Sequence, residues 1–466
     1  MQIPILNGIY TDENADFRTS YPRNMVPVPK QQGISEGYLR PGYGIAQFGI
    51  GPGTDFGGIN WNGNCYRAMG TKLVRVESDG SVTTLGDIGS SSQVSFDYSF
   101  DRLAVAAGGN LYYWNGTTLT QVTDVDLGVV VDFIWIGGYF MTTDGTSLVV
   151  TELLDPTVVD PVKYGSSEAD PDSVKALIKL RNEAYALNRY TVEVFQNVGG
   201  NGFPFAPVEG AQLMRGTVGT YACAMFMESI AFVGGGRNES PAVWLGSNGS
   251  TAKISTREID QLLKTYTEAQ LSAAVVEVRV DTNHQLLYVH LPDRTAVYDG
   301  AASQIVNEPV WFYLDSSLTG WGKYRARNYV WCYDKWLCGD PTSSRHGYLI
   351  DNISSHYDVI NGWDFGTMIV YNEGRGCIFH ELELVSLTGR VALGDDPTVW
   401  TSYSLDGETW SQWTPKSAGR MGQRLKRLNW LQQGFMRHWR CQRFLGTSDS
   451  HMSVARLEAR VEALNV

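Results

Sequence analysis

From Cys65 onward the apolar positions fall in short alternating runs, paired across polar or Gly-rich turns. CYRAMGTKLVRVESDG from Cys65, DRLAVAAGGNLYYWNG from Asp101, GGYFMTTDGTSLVVTE from Gly137 and NEAYALNRYTVEVFQN from Asn182 share this form. ESIAFVGGGRNESPAVWLGSNG from Glu228, HQLLYVHLPDRTAVYDG from His284 and DKWLCGDPTSSRHGYLID from Asp334 repeat it. Alternation with period two marks half-buried strands, and the Asn-Gly or Asp-Gly that usually follows the second strand marks a tight turn. The second strands begin near Leu73, Leu111, Ser147, Thr191, Ala242, Thr295 and Gly347, so the unit recurs every 36 to 53 residues. That period is close to the one expected of propeller blades.

Another strand precedes most of the hairpins, as in VSFDYSF from Val94, VVDFIWIG from Val130, VKALIKLR from Val174, YACAMFM from Tyr221 and VVEVRVDT from Val275. A further strand follows several, at Val82, Leu119 and Val310. An isolated hairpin cannot bury its own apolar face, whereas sheets stacked radially cover one another on both sides. The expected fold is all-β: a seven-bladed β-propeller over residues 43–355 with a short helical insertion, followed by a β-sandwich over 356–466. The longer, uneven later steps leave a pair of irregular sandwiches as the alternative to the ring. STREIDQLLKTYTEAQLSAAV holds two capping-box spacings, Ser255 to Glu258 and Thr267 to Gln270, and predicts two short helices on the outside or one mouth of the ring. Residues 1–42, centred on YPRNMVPVPKQQG, are Pro-rich and aperiodic. They predict an extended arm lying across another surface, such as another subunit.

The C-terminal strands FHELELVSLTG and VWTSYSLDGETWSQWT alternate clearly. Charge then separates the two parts. Residues 1–355 hold 25 Lys plus Arg against 37 Asp plus Glu, a balance of −12, while residues 356–466 hold 12 against 12. An acidic body does not attract nucleic acid by default and argues against a sequence-reading DNA binder. Between Lys416 and Arg443 lie eight Lys or Arg and no acid, with Trp430, Phe435 and Trp439 among them. Alternation in a strand would place the aromatics toward the core and the cations outward. Arg420, Arg424, Lys426, Arg427, Arg437, Arg440 and Arg443 are therefore the candidate interface. An acidic subunit surface would suit them, and so would phosphates with stacked bases.

Six cysteines without a CxxC or Cys/His ligand spacing are expected to be free thiols in a protein made in a reducing compartment. The start, MQIPILNGIYTDENADFR, lacks the basic and apolar stretches of a secretory signal, and no window approaches the ~20 apolar residues of a membrane span. A soluble, cytoplasm-made product without a membrane anchor is expected, and the Asn-x-Ser/Thr matches at Asn115 and Asn248 are chance.

No motif brings a catalytic constellation. Ser404-Leu405-Asp406-Gly407-Glu408-Thr409-Trp410 is like the Asp box of sialidase blades but one residue short and unrepeated, so a turn staple is expected. His284 and His290 should share a strand face without a carboxylate or cysteine at ligand spacing. Asp395-Asp396 and Asp124/Asp126 are paired acids suited to turns, and nothing positions a partner for acid/base work. The expectation is a non-enzyme without catalytic, cofactor or metal site, although a glycan-binding or glycan-cleaving propeller and a direct DNA clamp remain the competing classes.

The chain resembles the packaged-DNA stabilisation proteins, also called tail accessory or tail hub proteins, of short-tailed phages (podoviruses). The likeness lies in the order of YLRPGYG near Tyr38, RGTVGTYACAMFMESIAFVGG from Arg215, IDQLLKTYTEAQLSAAVVEVR from Ile259, HQLLYVHLPDRTAVYD from His284 and LELVSLTG from Leu382. It covers most of the chain from about residue 38 and is strongest between Gly210 and Ile305. The resemblance implies a late-assembling virion component, made in the bacterial host cytoplasm, that joins in a six-fold ring below the portal and its adaptor ring. It implies further that the ring helps close the channel on the packaged DNA and gives the tail needle and tailspikes a platform.

Overall fold

In a computed structural model, which describes residues 1–12, 16–30, 37–168 and 170–464, the alternating runs become antiparallel sheets that pair in chain order. The first holds Asp55–Trp61, Asn64–Met69, Lys72–Val76 and Val82–Asp87, and the second Ser95–Tyr98, Leu103–Ala107, Asn110–Trp114 and Leu119–Gln121. Four further sheets follow over residues 132–166, 174–207, 216–253 and 275–314. A seventh combines Arg327–Cys332, Lys335–Gly339 and Arg345–Ile350 with Gly44–Ile50, which supplies its outermost strand from the other end of the propeller. The innermost strands touch in cyclic order, the last against the first, around a central cavity of 430 Å³. The result is a β-propeller whose ring is closed by strand exchange between its two ends.

The hairpin at Gly108 shows why sequence and ring agree. Gly108 and Gly109 adopt φ of 58° and 83°, the left-handed pair required by a two-residue turn between strands that twist to the right. Past that turn, Tyr112 and Trp114 pack with Trp61, Tyr66 and Leu73 of the preceding sheet. Leu111 and Tyr113, on the opposite face, pack with Phe133, Phe140 and Val149 of the following one.

Polar groups at the cavity stitch neighbouring sheets together. Asp97 accepts from the Trp135 backbone N–H at 2.7 Å and pairs with Lys179 at 2.8 Å. Asp132 accepts from Leu177 N–H at 2.8 Å, and Glu277 accepts from Asn328 and Tyr329 N–H at 2.7 and 2.8 Å. In each case an acid on one inner strand satisfies backbone donors on a later one, which would otherwise be left unpaired. At the seam between first and last sheets, Arg67 Nε donates to Asp55 at 2.6 Å, Asn328 Nδ2 donates to Asp55 at 2.5 Å, and Arg67 Nη2 donates to the Asn328 carbonyl at 3.0 Å. Asp55 and Arg67 are both fully buried. Burial disfavours the Arg67 cation, but Asp55 outweighs it and the guanidinium pKa is raised.

Titration of the propeller has a definite sign. Burial lowers His346 to about 4 and His356 to about 3, so both stay neutral in the fold where an unfolded chain would protonate them below about 6.5. Their contribution is present above that pH and is lost as pH falls. Burial raises Asp132 to about 6, which works the other way, favouring the fold as pH drops through 6 toward 4. Each histidine is worth ~3 kcal/mol by pH 4, against at most ~3 kcal/mol for Asp132; burial raises Asp315 as well, whereas Glu277 and Asp340 are held low and, like the histidines, lose their contribution as pH falls. Stability is therefore expected to fall between pH 6.5 and 4. Thermal unfolding across that range checks it, and a histidine-to-phenylalanine change at His346 should flatten the profile.

Two helices occur as expected, Arg257–Lys264 and Glu268–Ser272. The box at Thr267 and Gln270 is formed. The first helix instead has Thr256 at its N-cap position, without a side-chain cap hydrogen bond, while Ser255 donates to Asp260 at 2.6 Å. A third helix, Gly300–Val306, starts where Asp299-Gly300 reads as a turn signal: the Asp299 carboxylate accepts from Ala302 N–H and opens a helix.

The sandwich differs from the expected 356–466 unit. One of its sheets holds Leu428–Leu431, Cys377–Ser386, Val454–Ala463, Gly37–Pro41 and Met25–Pro29, with Gln2–Ile3 also paired to Val454–Ala463. The other holds Gly362–Gly366, Trp439–Thr447, Thr398–Ser404 and Thr414–Ser417. The N-terminal segment is therefore not an arm reaching for another subunit. It is built into this chain's own sandwich, with Ile3, Ile5, Met25 and Leu39 in its core. The prolines hid this: Met25–Pro29 is an edge strand, where a missing N–H costs nothing. Residues 13–15 and 31–36 of the expected arm lie outside the described residues. Arg23, at the domain junction, pairs with Asp315 at 3.0 Å and Asp364 at 3.2 Å.

Candidate interface on the sandwich

The seven candidate cations do not form one face. Residues 418–427 precede the strand Leu428–Leu431 as an irregular loop, and strand alternation does not apply there. Arg420 and Arg424 are exposed on it, flanked by Met421 and Leu425, which are 60% and 97% exposed. Arg420 makes a loose contact with Asp396 at 3.4 Å. Lys426 Nζ turns inward to Ser417 Oγ at 2.5 Å, and Arg427 forks onto Glu381 and Glu383. Arg437 is exposed on the far side of the strand break.

Arg440 contradicts the expected outward orientation. It is 1% exposed, stacked 3.8 Å over Tyr403 and 4.4 Å over Phe379 between the two sheets, and donates to Gln442 and to the Gln433 carbonyl. Burial pulls its pKa down to about 10. Trp439 is the outward residue, packed edge-on against Phe17. The register of Trp439–Thr447 is shifted by one from the pattern expected, and a shift of one exchanges the faces. Of the three aromatics expected in the core, Trp430 is there and Phe435 is 49% exposed.

Arg443 faces the opposite way, onto the N-terminal hairpin of Gly8–Thr11 and Phe17–Ser20. Its guanidinium lies between the rings of Trp410 and Trp413 at 4.1 and 4.4 Å, in a cavity of 690 Å³ that also receives Tyr10, Asp364 and Glu408. Its Nε is buried without a hydrogen-bond partner among the described residues. Burial lowers its pKa, opposed by Asp364. The tryptophans escaped the sequence reading, although GETWSQWT carries them three residues apart after a turn.

The remaining candidates are structural. Asp406 accepts from Glu408 and Thr409 N–H at 3.0 and 2.8 Å and from Ser404 Oγ at 2.8 Å, a turn staple. Asp124 accepts from Asp126 and Val159 N–H at 2.9 and 3.0 Å, and Asp396 accepts from Ser417. His284 and His290 are buried and, unlike the expectation, each meets a carboxylate: Asp299 for the first and Glu277, at 3.2 Å, for the second. Those acids stand on neighbouring strands, so spacing along one strand could not reveal them. Among the described residues no cluster of three metal-ligating side chains occurs, and no helix is long and apolar enough to cross a membrane. All six cysteines are free.

Both parts of the chain match known families. Residues 1–354 match the family described as Bacteriophage P22 Gp10, beta-propeller, and residues 362–462 the one described as Bacteriophage P22 Gp10, beta-sandwich. The chain is 29% identical over 436 residues to the tail hub protein gp10 of Salmonella phage P22, covering 87% of this chain and 88% of that one. Among solved structures it is similar to the Neurospora crassa Pan2 WD40 domain, with a TM-score of 0.42, 10% identity, and 66% of this chain and 95% of that chain covered. It is also similar to the N-terminal domain of Nup159, with a TM-score of 0.41, 9% identity, and 69% and 97% covered. These two likenesses are too weak to bear on function. The agreement of both family matches with the two folded parts is another matter: the chain belongs to the P22 Gp10 family, propeller and sandwich alike.

Proposed function

We propose that this protein is a structural subunit of a short-tailed phage's tail hub, present in the virion and made in the host cytoplasm. The observation that carries the reading is the match to a tail hub protein over 436 residues, through propeller and sandwich in the same order. In this reading copies assemble as a ring, six-fold by the family resemblance, and dock below the portal and its adaptor ring. The ring helps close the channel on packaged DNA and offers attachment sites to tailspikes and the tail needle. It acts by contact and not by catalysis, and reads no DNA sequence.

A closed propeller supports such a role because its sheets brace one another while its loops stay free to vary. Weak contacts repeated round a ring gain avidity, since each further contact is intramolecular. The exposed loop with Arg420, Met421, Arg424 and Leu425 is the best placed of the candidates for such a contact. Arg424→Glu should leave the melting temperature almost unchanged, since an exposed charge contributes at most ~1 kcal/mol. It should weaken binding to the portal neck or the neighbouring copy at least tenfold. Arg427→Glu is the less clean variant because it also breaks the fork onto Glu381 and Glu383. Particles assembled without the protein should fill with DNA and then lose it, and adding the purified chain should restore retention. Full retention without it would refute the reading.

A further inference from the structure

Between the His290–Thr295 hairpin end of the sixth sheet and the start of the seventh lies a cavity of 400 Å³, bounded by Gln270 of the second helix and Ala273 at its end, the Leu291-Pro292 turn, and Lys323 and Arg327. No carboxylate lines it. The acids nearby are already engaged: Asp340 by Arg325, Thr342 and Ser343, and Glu277 by the Asn328 and Tyr329 amides. Lys323 has no hydrogen-bond or ion-pair partner among the described residues. Arg327 donates only from Nη2, to Gln93 at 3.0 Å, and its Nε is buried without a partner. Gln270 uses its Oε1 on Thr267, which leaves its amide N–H₂ to donate.

The lining thus brings two cations and an amide donor together without a carboxylate among its residues, and Asp340, which acts on Lys323 from outside the lining, is already held by Arg325, in a chain of net charge −12. Partial desolvation, and after it the charge of Arg327, lower the Lys323 pKa despite Asp340, although the residue is largely exposed; an anion between the two cations would relieve their repulsion. Of the remaining walls, Ala269, Ala273, Leu291, Pro292 and Pro341 are apolar, Tyr324 presents a ring, and His290 and Thr295 are hydrogen-bonded to each other at 2.9 Å. The apolar walls suit a carboxylate carried on an aliphatic stem, whereas a free phosphate would lose hydration against them. The planar fork of Arg327 with the Lys323 ammonium matches a carboxylate's two oxygens.

We propose that this cavity receives a glutamate-type side chain from an acidic peptide segment of a partner protein, clamped between Lys323 and Arg327. The site stands whether or not the protein is a tail hub. The test uses the full chain and a capped Ala-Leu-Glu-Leu-Ala peptide, its glutamine counterpart and inorganic phosphate, with binding followed by calorimetry and by protection of Lys323 from reductive methylation. Saturable binding of the glutamate peptide is expected, with at least tenfold weaker binding of the glutamine peptide and of phosphate. Lys323→Gln, at an exposed position with no partner to lose, should keep the melting temperature and weaken the glutamate peptide at least tenfold. Arg327→Gln should do the same, with any loss of fold visible in its melting curve. No binding, equal binding of both peptides, preferential binding of phosphate, or binding unaffected by Lys323→Gln would each overturn the proposal.

Discussion

Asp55→Ala should destabilise the propeller by about 3–5 kcal/mol, the range for leaving one member of a buried ion pair uncompensated. Among the described residues the removed carboxylate is the only acid paired with Arg67 at the seam, and it also receives Asn328. Without it, a fully buried guanidinium keeps the Asn328 carbonyl and the neutral Cys65 thiol, and no carboxylate among the described residues. The loss falls where first and last sheets meet, so the ring should open there before the sandwich unfolds. Limited proteolysis mapped along the chain should show new cuts near 44–50 and 327–350, with the sandwich fragment intact. Replacing both partners by apolar residues of similar volume, Asp55→Leu with Arg67→Met, should cost much less than Asp55→Ala alone, because no charge is left stranded. Gly339 is part of the same constraint: a Cβ there would stand 2.1 Å from the Asp55 Cγ, so Gly339→Ala should also open the seam.

Met25→Ala and Leu39→Ala should each cost the sandwich about 2–5 kcal/mol, the range for truncating a large side chain in a packed core. Both are fully buried in the cluster that contains Leu382, Leu457 and Phe444. Because they sit on paired strands, their effects should not be additive. Removing residues 1–41 outright should expose that core and unfold the sandwich. A thermal melt of the truncated chain should lose the sandwich transition while the propeller's remains at a lower temperature, since Tyr21 and Val26 also leave its core. An arm that served only to contact another subunit would leave both transitions in place.

Strand alternation made the propeller legible because each hairpin carries its own turn chemistry, as Gly108-Gly109 and Asn115-Gly116 do, and each strand has a two-faced core to meet. What escaped depends on partners distant in sequence. Gly44–Ile50 closes the seventh sheet from about 300 residues away, and nothing in its own pattern names Arg345–Ile350 as its neighbour. Met25–Pro29 reads as a linker by composition and is a strand by position, since only an edge tolerates its prolines. Asp299 is both the end of a strand and a helix cap, and Asp-Gly alone cannot distinguish a turn from a helix start.

The interface candidates divide in the same way. Arg420 and Arg424 lie in a loop, and their exposure follows from composition. Arg440 and Arg443 lie on a central strand of their sheet, where both faces are covered and either position becomes buried or clamped. A run of cations says where charge is, and only the covering layers say which of it faces solvent.

The most direct test of the tail-hub reading is a reconstruction of the virion tail at a resolution that separates the sheets of a propeller. The account predicts six copies of a seven-sheet ring with its sandwich directly below the portal and adaptor, the loop around Arg424 in contact with a neighbouring component. A tail without such a ring, or one in which that loop faces open solvent in every copy, would contradict it.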